Sequence, residues 1–96
     1  MKIGVPKEIK NHEYRVGLTP ASVRELTARG HSVLVQAGAG ASIGLSNEHY
    51  LAAGAELAPD AATVFAMSEM IVKVKEPQAL ECTMLRPGQI LYTFLH

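Results

Sequence analysis

The chain has one cysteine and no tryptophan in its 96 residues. A single thiol permits no internal disulfide and no cysteine cluster for a metal, and Cys82 reads as a buried structural thiol. An excess of either charge is missing too, because nine Lys and Arg balance nine Asp and Glu. The basic residues are interleaved with acids, Lys7 and Lys10 flanking Glu8 and Arg15 following Glu13. That pattern excludes the basic stripe selected by nucleic acid or an anionic membrane. Long apolar runs are also absent. The N-terminal apolar stretch is too short for a signal-peptide core, and the uncharged residues 32–47 are broken by Gly38, Gly40 and Gly44. The expectation is one soluble, cytoplasmic domain, burying roughly 60–70% of the surface that its unfolded chain exposes.

What is present is an alternation. Apolar runs rich in β-branched residues stand at 3–5, 33–35, 55–58, 70–74 and 90–95, separated by lengths that suit short helices. Thr19-Pro20 supplies a capping hydroxyl and a first-turn proline, Val23 and Leu26 share a face, and Gly30 offers a left-handed exit, so a helix is expected over about 20–29. Ser46 or Asn47 caps a second helix stopping at Gly54, Asp60 a third through Val64, Phe65 and Met67, and a fourth follows Pro77. Continuously apolar strands joined by helices predict an α/β fold: a parallel, doubly wound sheet of the flavodoxin or Rossmann kind. Residues 90–95 read as a buried central strand with no helix after it. The sheet is therefore expected to be incomplete at its C-terminal end, and the chain to be the front piece of something longer.

The glycine-rich stretch 38–44 follows a strand, as a dinucleotide-binding loop does. Its third glycine falls one place late and Ile43 takes a position needing a small residue, so a connecting loop is the preferred reading. His12, His31 and His49 lack ligand spacing and are taken as surface or loop residues without a metal role.

Open parallel sheets bind ligands beyond the carboxyl ends of their strands. Arg15 lies after the first strand, Lys75 at the end of the fourth and His96 at the end of the fifth. Arginine matches a carboxylate with a planar fork, lysine offers a compact cation and histidine carries a proton near neutral pH. Together they suit a small oxo or amino acid. Each also has a plainer reading: a solvated loop arginine, a Lys73–Lys75 pair guarding a sheet edge, and a terminal histidine placed by chance.

Residues 4–20, GVPKEIKNHEYRVGLTP, resemble the N-terminal signature shared by alanine dehydrogenases and nucleotide transhydrogenases. The likeness continues through Ala37-Gly38-Ala39-Gly40, residues 50–55, Val72-Lys73-Val74-Lys75-Glu76-Pro77 and Tyr92-Thr93-Phe94-Leu95-His96, with Gly17 standing where alanine is usual. The resemblance implies that residues 1–96 begin a substrate-binding domain, with an NAD-binding Rossmann domain downstream. It implies NAD as cofactor, L-alanine, pyruvate and ammonia as substrates, and a homohexamer. By the same resemblance Arg15 and Lys75 hold the substrate carboxylate and carbonyl oxygen, and His96 is the catalytic proton carrier. Lys75 and His96 favour the alanine dehydrogenase branch over the alternative, the front of a transhydrogenase alpha subunit. A third alternative is a small-molecule binding module without enzymatic activity.

Overall fold

The computed structural model describes residues 1–94; His96 and its neighbour Leu95 lie outside the described residues. Five parallel strands form one sheet: β1 (Lys2–Val5), β2 (Ser32–Gln36), β3 (Glu56–Ala58), β4 (Met70–Lys73) and β5 (Ile90–Thr93). Between them run α1 (Pro20–Ala28), α2 (Asn47–Ala52), α3 (Ala61–Met67) and α4 (Ala79–Cys82), with a short 3-10 turn at Ala41–Ile43. The spatial order is β3-β2-β1-β4-β5, the Rossmann order rather than the flavodoxin one.

Local chemistry sets the helix starts. Thr19 accepts from the Ser22 amide, and Asp60 from the Thr63 amide. Ser46 accepts from the His49 amide, while His49 reaches back to the Ser46 amide. These contacts satisfy amide groups that a first turn leaves without partners.

Alternation along each strand then sorts side chains onto two faces. Ile3, Val5, Val33, Val35, Leu57, Met70 and Val72 join one core with Val23 of α1 and Tyr50 and Ala53, from α2 and its end. Leu34, Ala58 and Ile71 join a second core with Val64 and Phe65 of α3. The inner strands β1, β2 and β4 are packed on both faces, as a continuously apolar strand requires. Gly4 lets α3 approach the central strand closely, since an added Cβ would lie 2.1 Å from Ser68 Oγ and 2.8 Å from Val64 Cγ1.

Three expectations are corrected. β5 lies at an edge of the sheet, and its Ile90, Leu91 and Tyr92 are exposed. An apolar run records faces able to be buried, but among the described residues no helix covers these. Cys82 is exposed on α4, because the buried position of that one-turn helix goes to Glu81. Lys73 guards no edge, because β4 lies between β1 and β5 and Lys73 is 1% exposed. Among the described residues, no helix is long and apolar enough to cross a membrane.

Candidate functional site

The chain reverses direction across the sheet between β1 and β4: β2 and β3 extend to one side, β5 to the other. At such a switch point the connections after adjacent strands diverge and leave a crevice beyond the carboxyl ends. The β1–β4 ladder registers only Ile3 with Met70 and Gly4 with Ile71. Beyond it, the loop after β1 carries Arg15 and the segment after β4 carries Lys75.

The loop is shaped first by a turn in which the Glu13 amide donates to the Lys10 carbonyl at 3.0 Å, with His12 at a left-handed φ of 62°. This is a region that histidine enters more readily than most residues. The turn directs Glu13 at Arg15. Glu13 Oε2 accepts from Arg15 Nε at 3.0 Å and from the Arg15 amide at 3.0 Å, while Oε1 accepts from Nη2 at 2.9 Å. The Glu13 side chain is 6% exposed and that of Arg15 56%. One edge of the guanidinium is thus fixed by protein and its far end faces solvent.

Arg15 holds the Glu13 carboxyl down to about 2, chiefly through their hydrogen bonds, and the Lys75 charge adds to the lowering. Glu13 in turn raises the pKa of the guanidinium. A carboxylate that feels both cations places Arg15 and Lys75 in one electrostatic neighbourhood. Lys10 pairs with Glu76 nearby.

Behind this surface sits a buried ionic cluster that the sequence reading missed. Lys73 Nζ lies 3.0 Å from Glu8 Oε1 and 3.0 Å from Glu81 Oε2, and all three side chains are 1% exposed. Glu8 also accepts from the Val74 amide at 3.0 Å and the Lys75 amide at 3.2 Å, and Glu81 from the Gln78 amide at 2.9 Å. One lysine and two carboxylates leave a formal excess of one negative charge, which these three amide donors help to offset. A signal existed in the sequence. A lysine inside an otherwise apolar strand run demands a buried partner, although nothing in the spacing said which acids supply it.

Gly17 also bears on this region. Its added Cβ would lie 2.5 Å from the Val72 carbonyl oxygen, so the loop rests directly on β4 two residues after Arg15. Alanine there would require loop and strand to separate.

The glycine-rich stretch does not fit a nucleotide pyrophosphate. The amides of Ala39, Ala41, Ile43, Gly44 and Leu45 all donate to carbonyls of residues 36–41, and that of Gly38 donates to Asn47 Oδ1. A phosphate cradle needs such donors free and convergent. Of the three predicted site residues, the fold places Arg15 on the connection after β1 and Lys75 just past the end of the neighbouring β4, and His96 lies outside the described residues.

Residues 4–96 match the family described as "Alanine dehydrogenase/PNT, N-terminal domain". Alanine dehydrogenases similar to the chain over all of its 96 residues include those of Halomonas elongata, at 58% identity, Mycobacterium tuberculosis, at 53%, and Bacillus subtilis, at 52%. The chain spans only about a quarter of each: 26%, 26% and 25% of their lengths. Among solved structures, an L-alanine dehydrogenase superposes with a TM-score of 0.95 at 48% identity, covering 100% of this chain and 26% of that one. A transhydrogenase from Sinorhizobium meliloti superposes with a TM-score of 0.89 at 31% identity, covering 97% of this chain and 27% of that one.

Proposed function

The chain belongs to the alanine dehydrogenase/PNT N-terminal domain family, and from that membership we propose that it opens the substrate-binding domain of an NAD-dependent alanine dehydrogenase. The reaction is L-alanine + NAD+ + water giving pyruvate + ammonium + NADH + a proton, and it is reversible. The supporting observation is the position of Arg15 and Lys75 on the two connections that flank the β1–β4 switch point.

The chemistry needs both cation types. The free end of the Arg15 fork takes the substrate carboxylate and fixes its orientation, while Glu13 keeps the guanidinium from rotating. Lys75 lies beside the oxygen that gains negative charge as water adds to the imine carbon. His96 takes the proton from that water and returns it when the carbinolamine collapses to pyruvate and ammonia. The nucleotide supplies the hydride acceptor and is bound by residues outside this chain. The full protein works in the cytoplasm as a homo-oligomer, a hexamer by family resemblance. Lys75 and His96 favour this reading over the transhydrogenase one.

The test is alanine-dependent NADH formation by the full-length protein. Turnover with L-alanine is expected, with little turnover in a His96→Ala variant that still binds NADH normally. No turnover with alanine, glycine or serine overturns the activity, and normal turnover in His96→Ala removes that residue from the mechanism. The 96-residue chain alone is expected to be inactive, and saturable micromolar NADH binding to it would contradict the assignment of the nucleotide site elsewhere.

A further inference from the structure

We propose that Glu8 is a positioning residue for Lys75 and Arg15, a buried clasp that sets the width of the crevice between the loop after β1 and the end of β4. The inference rests on the reading of Lys75 and Arg15 as substrate-binding groups. Its geometric basis is the short β1–β4 ladder. Backbone pairing stops at Gly4 and Ile71, so the two segments that carry the site leave the sheet without a hydrogen-bonded register between them. Glu8 takes over at that point. Its two oxygens accept from the amides of Val74 and Lys75 and from Lys73 Nζ, joining the β1 connection to three consecutive residues of the other segment.

This arrangement has the marks of a fixed register. The carboxylate is 1% exposed, so water cannot substitute for a lost donor. Both oxygens are committed, Oε2 to Val74 and Oε1 to Lys73 and Lys75, which fixes the orientation of the carboxylate plane. The Lys75 amide itself is held, so the start of the lysine side chain is set, and among the described residues no carboxylate pairs with its ammonium. On the other side, Glu8 begins the segment whose Lys10–Glu13 turn aims Glu13 at Arg15. The Glu8 charge also contributes to raising the Arg15 pKa. A group that fixes two binding cations relative to each other acts on how the substrate is seated, through Lys75 and Arg15, without touching it.

The experiment is steady-state reductive amination by the full-length enzyme, well below its unfolding midpoint. Glu8→Gln keeps the shape, but its amide nitrogen cannot accept from the backbone donor that faces it. The expected result is a KM for pyruvate raised about tenfold, the order of one charge-assisted hydrogen bond, with the KM for NADH within twofold of the unmodified enzyme. A pyruvate KM within twofold overturns the proposal. Glu8→Asp retains the charge opposite Lys73 and so keeps the protein folded where Glu8→Gln does not. It withdraws the carboxylate by one methylene, and an unchanged pyruvate KM in this variant is equally fatal. Val64→Ala controls for lost stability alone, because it opens a cavity under α3. It is expected to unfold earlier with an unchanged pyruvate KM, and a tenfold rise there would reduce Glu8 to a structural role. Lys75→Met separates the two levels. Unaltered kinetics in Lys75→Met overturn the substrate-binding role of Lys75 and the proposal together, whereas a dead Lys75→Met beside a normal Glu8→Gln overturns the proposal alone.

Discussion

Glu13 grips Arg15 at two points, Oε2 to Nε at 3.0 Å and Oε1 to Nη2 at 2.9 Å, so the guanidinium offers a ligand only its remaining donors. A lysine at position 15 has no fork and cannot serve Glu13 and a substrate carboxylate in two fixed directions. In the full-length enzyme Arg15→Lys is expected to raise the KM for pyruvate about tenfold or more. Unchanged kinetics would remove Arg15 from the substrate clamp.

The same pair makes a prediction in acid. Arg15 holds Glu13 at about 2 against an ordinary 4.5, so between these values the unfolded chain carries a proton there that the folded chain does not. The pair's contribution to stability is therefore complete above about pH 4.5 and fades as the pH falls through about 2. Carbon-detected NMR of the Glu13 carboxyl should give a midpoint near 2 in the unmodified chain, moving toward 4.5 in Arg15→Ala. A midpoint near 4.5 without substitution would mean that the two-point contact does not form in solution.

Lys73 is expected to be a costly position. Lys73→Met leaves the buried Glu8 and Glu81 carboxylates facing each other without their cation, and removing one member of a buried ion cluster costs about 3–5 kcal/mol. Urea denaturation measures the loss. A loss under about 1 kcal/mol would mean that amide donors alone suffice for the two carboxylates.

Tyr50 links α2 to the loop that carries Arg15, its hydroxyl donating to the Leu18 carbonyl at 2.7 Å. Burial pushes the phenol up to about 12 from 10.0. Its stabilising effect is thus complete below about pH 10 and lost as the pH rises through about 12. Tyr50→Phe is expected to cost about 1 kcal/mol. In difference absorbance, the phenolate that this variant lacks should appear near pH 12, and its appearance near 10 would show the hydroxyl to be solvated.

Much of the frame was legible because it rests on short-range chemistry. Thr19-Pro20, Ser46 and Asp60 start helices where capping groups of those types should, and the β-branched runs at 3–5, 33–35 and 70–74 become strands. The places of Arg15 and Lys75 after the adjacent strands β1 and β4 were legible because strand ends are predictable. Family resemblance supplied the chemistry that spacing could not. Glu8 and Glu81 were not legible, since their roles come from partners fixed in space: Lys73 is 65 residues from Glu8, and the amides just after β4 are 66 and 67 away, whereas Glu13 meets Arg15 two residues on through a turn whose shape spacing does not give. The place of β5, Ile90–Thr93, was misjudged for the opposite reason. Apolar content says that a strand tolerates burial, whereas the neighbours that bury it are a property of the whole sheet.

The two borders of that sheet are unequal. β3 is three residues long, carries Glu56 and is followed by Pro59, a combination that blunts growth. β5 has four residues, none charged, and its outer row of backbone donors and acceptors lies beside exposed Ile90, Leu91 and Tyr92. Such a border is a template for another strand. Among the described residues β5 is the border that another strand would pair with more readily, and a single lysine there, at Leu91 for instance, is expected to do most to keep the chain dispersed.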